Sequence, residues 1–236
     1  MITNSIQFTT VVKELNLNNK EVRRGIEDAL EDFTFSYEQP IQLPPEIPQF
    51  SPLMIGQTKF GHSRLQISNR IFQLVTTFDK EYDNNREKCF DYSYQKIESI
   101  VDAVNKQKLE MIYCGLIVQY VFENLDDVIS LLNRNSVKLM GDYPFFNFAK
   151  KFSVVYGDRY YVNFELASLI PRDEGKNFIG ITIDINNRYG VEINKSPHKN
   201  CDIDAIKRLL HFTSEEVLKN LLSKGELNLN DEFSYQ

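Results

Sequence analysis

Alternation of apolar and polar positions is the first signal along this chain. Ile6, Phe8, Thr10 and Val12 are separated by polar or β-branched neighbours, which predicts a one-sided strand over residues 5–15. The period then changes. Asn18 or Asn19 offers an N-cap, and Val22, Ile26, Ala29, Leu30 and Phe33 recur at helical spacing, so residues 20–33 read as an amphipathic helix. Residues 64–68 and 70–78 read as a hairpin closed near Ser68-Asn69, followed by a polar loop. Phe90, Tyr94, Ile97, Val101 and Val104 then follow at spacings of 4, 3, 4 and 3, predicting a helix over residues 89–106 that lies across a sheet. Residues 110–123 carry apolar side chains on both faces, and a strand of that kind belongs in the middle of a covered sheet.

The second half repeats these signals in a different order. Asn124 opens a short helix with Asp126 and Asp127 in its first turn, where the helix dipole favours negative charge. Phe152, Val154 and Tyr156, then Gly157-Asp158, then Tyr160, Val162, Phe164 and Leu166 form a second hairpin. Ile179, Ile181, Ile183 and Ile185 share one face of a strand over residues 178–186, and a one-residue slip would turn all of them outward. Two helices close the pattern. Asp202 caps the first, and Thr213 to Glu216 spells a capping box for the second, with Val217, Leu218, Leu221 and Leu222 inward.

Hairpins imply antiparallel pairing, so the predicted class is α+β: a largely antiparallel sheet covered by helices, with two C-terminal helices. Residues 1–236 are read as a single such domain, and no residue-level repeat is visible. Five of the eight prolines fall between Pro40 and Pro52. Each removes a backbone donor, so residues 40–52 are expected to be an extended crossover packed through Ile41, Leu43, Ile47 and Phe50.

Composition sharpens this picture. The 17 Phe and 12 Tyr, with no Trp, favour pleated half-buried surfaces. A net charge of −6 argues against a nucleic-acid partner, since phosphate binding needs clustered Lys and Arg. Three widely spaced cysteines, Cys89, Cys114 and Cys201, do not spell a secreted disulfide framework, which leads to an expectation of a reducing, cytoplasmic setting. The longest apolar run, residues 111–118, is far shorter than the roughly 20 residues of a spanning helix, and no membrane association is expected.

Candidate chemistry is sparse. The 10 glycines form neither a phosphate loop nor a dinucleotide fingerprint, and no cofactor is expected. His198 and Cys201, followed by Asp202 and Asp204, lack the second donor pair that a structural zinc needs, so no metal site is predicted. Cys114 should behave as a small hydrophobe with a weakly acidic thiol. No catalytic residue is assigned. Asp184, held on the polar face of the isoleucine strand, is the leading carboxylate, although acid–base work would need a positioned partner. The aromatic segment Tyr143, Phe145, Phe146 and Phe148 either plugs the core or forms a recognition patch, and Tyr160 or Tyr161 is taken with Asp184 as a candidate pocket residue.

The early strand IQFTTVV, the run RIFQLVTTF leading through a helix to LEMIYCGLIVQYVFE, and FIGITIDIN leading to DAIKRLLHFTSEEVLKNLL together resemble an uncharacterised, sporadically distributed family of prokaryotic proteins of about this length. The likeness spans most of the chain and rests on patterning. It implies no activity, cofactor or site residue, and its patchy distribution resembles phage or defence cargo. The resulting expectation is a non-enzymatic protein-binding module, phage- or mobile-element-encoded, acting on a host or defence protein, with self-association into a homo-oligomer open. The alternatives are a binder or hydrolase of a small-molecule or nucleotide-derived ligand, and a virion or assembly component.

Overall fold

The computed structural model describes residues 2–37, 53–79, 82, 85–122, 149–156, 160–169, 178–187 and 202–218. Nine strands form one fully antiparallel sheet: β1 (Ile2–Val12), β2 (Phe33–Tyr37), β3 (Met54–Thr58), β4 (Ser63–Ile67), β5 (Ile71–Thr77), β6 (Met111–Phe122), β7 (Ala149–Tyr156), β8 (Tyr160–Leu169) and β9 (Phe178–Asn186). Their order is β2-β3-β4-β5-β1-β6-β9-β8-β7. Among the described residues the helices are α1 (Lys20–Ala29), α2 (Arg86–Lys106) and α3 (Ile203–Phe212).

Each element follows from local chemistry. The Asn19, Asn85 and Asp202 side chains accept backbone N–H bonds at the starts of α1, α2 and α3, satisfying donors that a helix end leaves orphaned. Helix α2 stops in a Schellman arrangement: Lys108 takes φ +54°, its N–H reaches the Asn105 carbonyl, and the Leu109 N–H reaches that of Val104. Ser68 closes the β4–β5 hairpin by accepting from the Ile71 N–H at 3.2 Å.

Strand β6, apolar on both sides in sequence, lies between β1 and β9 near the middle of the sheet. Since β5 and β6 both run antiparallel to β1, they are parallel to one another, and α2 is the crossover that carries the chain over β1. One lateral row spans all nine strands on the helical side: Phe35, Gly56, Leu65, Leu74, Phe8, Leu116, Ile185, Val162 and Val154. It forms a continuous core with Ile97, Ile100 and Val104 of α2, Ile26 of α1 and Ile206, Leu209 and Leu210 of α3. Gly56 in this row leaves room for the Phe35 ring, whose edge would lie 2.7 Å from an added Cβ.

Three expectations are corrected. The helix expected over residues 20–33 ends at Ala29, because Leu30 leaves helical geometry and Phe33 enters β2, a strand too short to show a clear alternation. Among the described residues the helices cover one face of the sheet only, whereas coverage by helices had been expected more generally. The second C-terminal helix does not begin at Thr213. Instead α3 runs on into a π-helical turn, Thr213–Val217, with Thr213 in helical geometry and its hydroxyl bonded back to the Leu209 carbonyl at 2.6 Å rather than capping a new start. The residue 40–52 crossover and the helix expected from Asn124 lie outside the described residues.

Candidate functional site

Two surfaces concentrate the chemistry, one on each side of the sheet. On the helix-free side a second lateral row runs Thr34, Gln57, Arg64, Val75, Gln7, Ile117, Asp184, Asn163 and Ser153. The adjacent rows add Gln66, Gln73 and Thr9 on one side and Gln119 and Thr182 on the other. With strands about 4.8 Å apart, this platform is about 38 Å wide. Its central positions are carboxamides, hydroxyls and two aliphatic side chains, most of them half-buried.

Asp184 sits in that row and accepts from Asn163 Nδ2 and Asn186 Nδ2, both at 3.1 Å. Two neutral amides thus hold its carboxylate in place, and neither of them can exchange a proton with it near neutral pH. One strand away, Gly115 makes space for Tyr113: a Cβ there would lie 2.5 Å from the Tyr113 hydroxyl oxygen and 3.2 Å from the Asn186 Cβ. The Tyr113 side chain therefore lies across the backbone of β6 beside the Asp184 cluster.

Tyr160 does not join Asp184. Its side chain is 1 % exposed and belongs to the helical-side core with Val162 and Phe164, whereas Asp184 faces the opposite side, so the sheet itself separates the two. Strand parity decides this: Val162 pairs with Ile185 and Asn163 with Asp184, which puts every even-numbered β8 residue from 160 to 166 on the core side. Tyr143, Phe145, Phe146 and Phe148 lie outside the described residues. Among the described residues no group of three or more His, Cys, Asp and Glu side chains could hold a metal ion, and no helix is long and apolar enough to cross a membrane. Cys114 is disulfide-bonded, which corrects the expectation of a free thiol there. Sequence spacing says nothing about which sulfurs meet in space. Cys89 is a buried thiol whose Sγ lies 3.8 Å from the Tyr82 carbonyl oxygen.

On the helical side, α2 and α3 run antiparallel and enclose a groove of about 730 Å³. Arg86, Glu87 and Tyr94 line it from α2, and Lys207, Arg208, His211, Phe212 and Glu215 from the other side. Arg86 pairs with Glu215 and donates to the Ser214 carbonyl at 3.4 Å. Lys207, 8 % exposed, bonds Glu98 at 2.7 Å and lies 5.0 Å from the centre of the Tyr94 ring. Such a cation over a ring face gains from the aromatic quadrupole as well as from the carboxylate.

Beneath the Arg86–Glu215 pair stands Tyr120 of β6, fully buried. Burial pushes its phenol pKa well above the ordinary tyrosine value; Ser214 and the Arg86 guanidinium draw it back, and the Glu215 charge raises it further. Burial likewise raises that of Tyr94, with Tyr120 and Asp91 adding to the shift. The Tyr120 hydroxyl and the Ser214 hydroxyl approach one another, but neither completes a hydrogen bond of normal geometry. Sequence pattern marks Tyr94 only as part of a helical face and gives Arg86, Tyr120 and Ser214 no role in a site. Arg86 lies at the end of a polar loop, Tyr120 looks like one apolar position among many in β6, and only the fold brings them together with Ser214. No protein-family model, no curated protein and no solved structure matches this chain.

Proposed function

We propose that this chain is a non-enzymatic protein-binding module that engages another protein through the helix-free face of its sheet. The observation that carries the reading is the lateral row from Thr34 to Ser153 together with its neighbours. Its charged members are Arg64 on β4, Asp184 on β9, Glu165 on β8 and Lys151 on β7, which leaves the central strands β5, β1 and β6 uncharged there. Its centre holds Gln7, Thr9, Gln73, Ile117 and Gln119, where uncharged groups that both donate and accept can pair with a partner's backbone and side chains. A core depleted of charge with a polar rim is the usual anatomy of a protein interface. The carboxylate next to that centre, Asp184, is held by two amides rather than set against a proton-transfer partner, which favours recognition over catalysis.

Affinity capture with the full chain and with Ile117→Lys tests this directly. The substitution sets an ammonium group in the middle of the platform and leaves the core face untouched. The wild-type chain should recover a stoichiometric protein partner that the variant loses, while the two melting temperatures agree to within a few degrees. Retention of the partner by Ile117→Lys would remove the platform from the interface, and recovery of no partner by the wild type would defeat the binding reading.

A further inference from the structure

The groove between α2 and α3 is a separate site on the opposite side of the sheet, and the inference drawn from it does not depend on the docking platform. Its volume of about 730 Å³ falls in the range of small-molecule sites. Three cations, Arg86, Lys207 and Arg208, line it with two carboxylates, Glu87 and Glu215, while Glu98 outside the lining holds Lys207, so Arg86 and Arg208 are the guanidiniums a ligand would meet. Tyr94 and Phe212 give it aromatic walls.

A second, independent observation points the same way. Tyr120 is 0 % exposed and Ser214 is 2 % exposed, and although the two hydroxyls approach one another, among the described residues neither completes a hydrogen bond. Buried hydroxyls are nearly always satisfied, because leaving one unpaired forfeits its hydration. The Tyr120 phenol feels both Arg86 and Glu215, two residues that line the groove, so its hydroxyl lies behind that part of the lining, within reach of a group that displaces Glu215. The π-helical turn lies at the same place. The Leu218 N–H bonds the Thr213 carbonyl five residues back, a widening that recurs at binding sites and that here carries Ser214 toward Arg86.

We propose that this groove binds a small organic oxyanion, whose carboxylate or phosphate head replaces Glu215 on the Arg86 guanidinium and accepts from the Tyr120 and Ser214 hydroxyls, while its flat apolar body lies between Tyr94 and Phe212. A guanidinium offers two parallel donors that match either head group. In the unliganded chain Glu215 occupies that position as an internal competitor. Lys207, already engaged by Glu98 and Tyr94, adds positive potential without having to leave its partners.

The test uses the full chain in thermal-shift and calorimetric titrations with three probes: benzoate, phenyl phosphate and inorganic phosphate. At least one organic probe should raise the melting temperature in proportion to occupancy, and the better of the two identifies the head group. Arg86→Gln should abolish the shift. Tyr120→Phe should weaken binding about tenfold, the loss of one hydrogen bond to a charged group, while leaving the free protein at least as stable. Glu215→Gln should tighten binding, an outcome that a merely structural Arg86–Glu215 pair would not produce. No response to any probe at millimolar concentration would overturn the proposal, as would undiminished binding by Arg86→Gln, unchanged affinity in Tyr120→Phe, or weaker binding by Glu215→Gln. Inorganic phosphate binding as tightly as either organic probe would overturn the role given to the aromatic walls.

Discussion

The two halves of the sheet share a plan and differ in how their helices meet. In the first, β1 leads through α1 into the meander β2 to β5, whose last strand returns beside β1, and α2 follows. In the second, β6 leads to the meander β7 to β9, whose last strand returns beside β6, and α3 follows. The leading strands β1 and β6 pair at the junction, giving an approximate two-fold relation between halves. Where α1 meets α2 the contact is close: a Cβ added at Gly25 would lie 2.2 Å from the Gln107 amide, and Lys96 bonds Asp32 at 2.6 Å. Where α3 meets α2 the contact is a charged groove over unpaired buried hydroxyls. One topology thus contains a joint built for packing and a joint that gives up some packing, and departures of the second kind are where binding is expected.

The most severe way to probe this comparison is to remove core volume from one half at a time. Phe8→Ala should cost about 4 kcal/mol and Ile183→Ala about 3 kcal/mol. Because Phe8 and Ile183 belong to one continuous core across the β1–β6 junction, both variants should still unfold in a single denaturant transition with unchanged slope. Two separate transitions would show that the halves are independent units.

Gly115→Val comes next. It displaces the Tyr113 side chain and crowds Asn186 at the centre of the platform, so a loss of about 2 kcal/mol is expected, with loss of the captured partner. Chemical denaturation and capture together check it; an unaffected partner would place the interface elsewhere. Helix caps follow. Asn85→Ala in the first half and Asp202→Ala in the second should each cost about 1 kcal/mol by denaturant midpoint, since each removes a single side-chain bond to an orphaned N–H. Lys108→Gly should act in the other direction and stabilise by about 0.7 kcal/mol, relieving the positive φ at the end of α2.

Alkaline pH sharpens the contrast without mutating either joint. The folded-state phenol pKa values of Tyr94 and Tyr120 are raised above those of the unfolded chain, chiefly by burial. The unfolded chain therefore releases these protons first, so stability is retained below about pH 10 and falls as pH rises above it. Thermal melts against pH should show that fall, and Tyr120→Phe should make it shallower. An unchanged alkaline limb would mean that Tyr120 does not ionise with unfolding. The smallest effect is expected at Lys13 and Glu110, an exposed 3.4 Å pair: Lys13→Ala should change stability by less than about 0.5 kcal/mol.

Much of the sheet was legible because strand patterning records one-sided burial. The isoleucines of residues 178–186 and the doubly apolar β6 placed themselves, since each has a unique arrangement that hides its apolar side chains. Strands β2 and β3 are not legible: Phe33 of β2 also fits the helical period of α1, and β3, MIGQT, has Gly56 where a second apolar side chain would mark its core face. The candidate site was less legible still. Asp184 is legible as a rigidly held carboxylate, but which tyrosine accompanies it is not: strand parity puts Tyr160 on the opposite face and Tyr161 on the same one.

Sequence by itself determined the periods, the N-cap at Asp202 and that of α1 to within Asn18 or Asn19, the antiparallel class and the central position of β6, because these depend on neighbours a few residues away. Tertiary structure alone decided that the helices share one face, that Cys114 is disulfide-bonded, and that Arg86, Tyr120 and Ser214 meet. Their meeting depends on how α2 crosses the sheet and where α3 lands beside it. Those choices are set by the summed burial of the whole core, which no local pattern encodes.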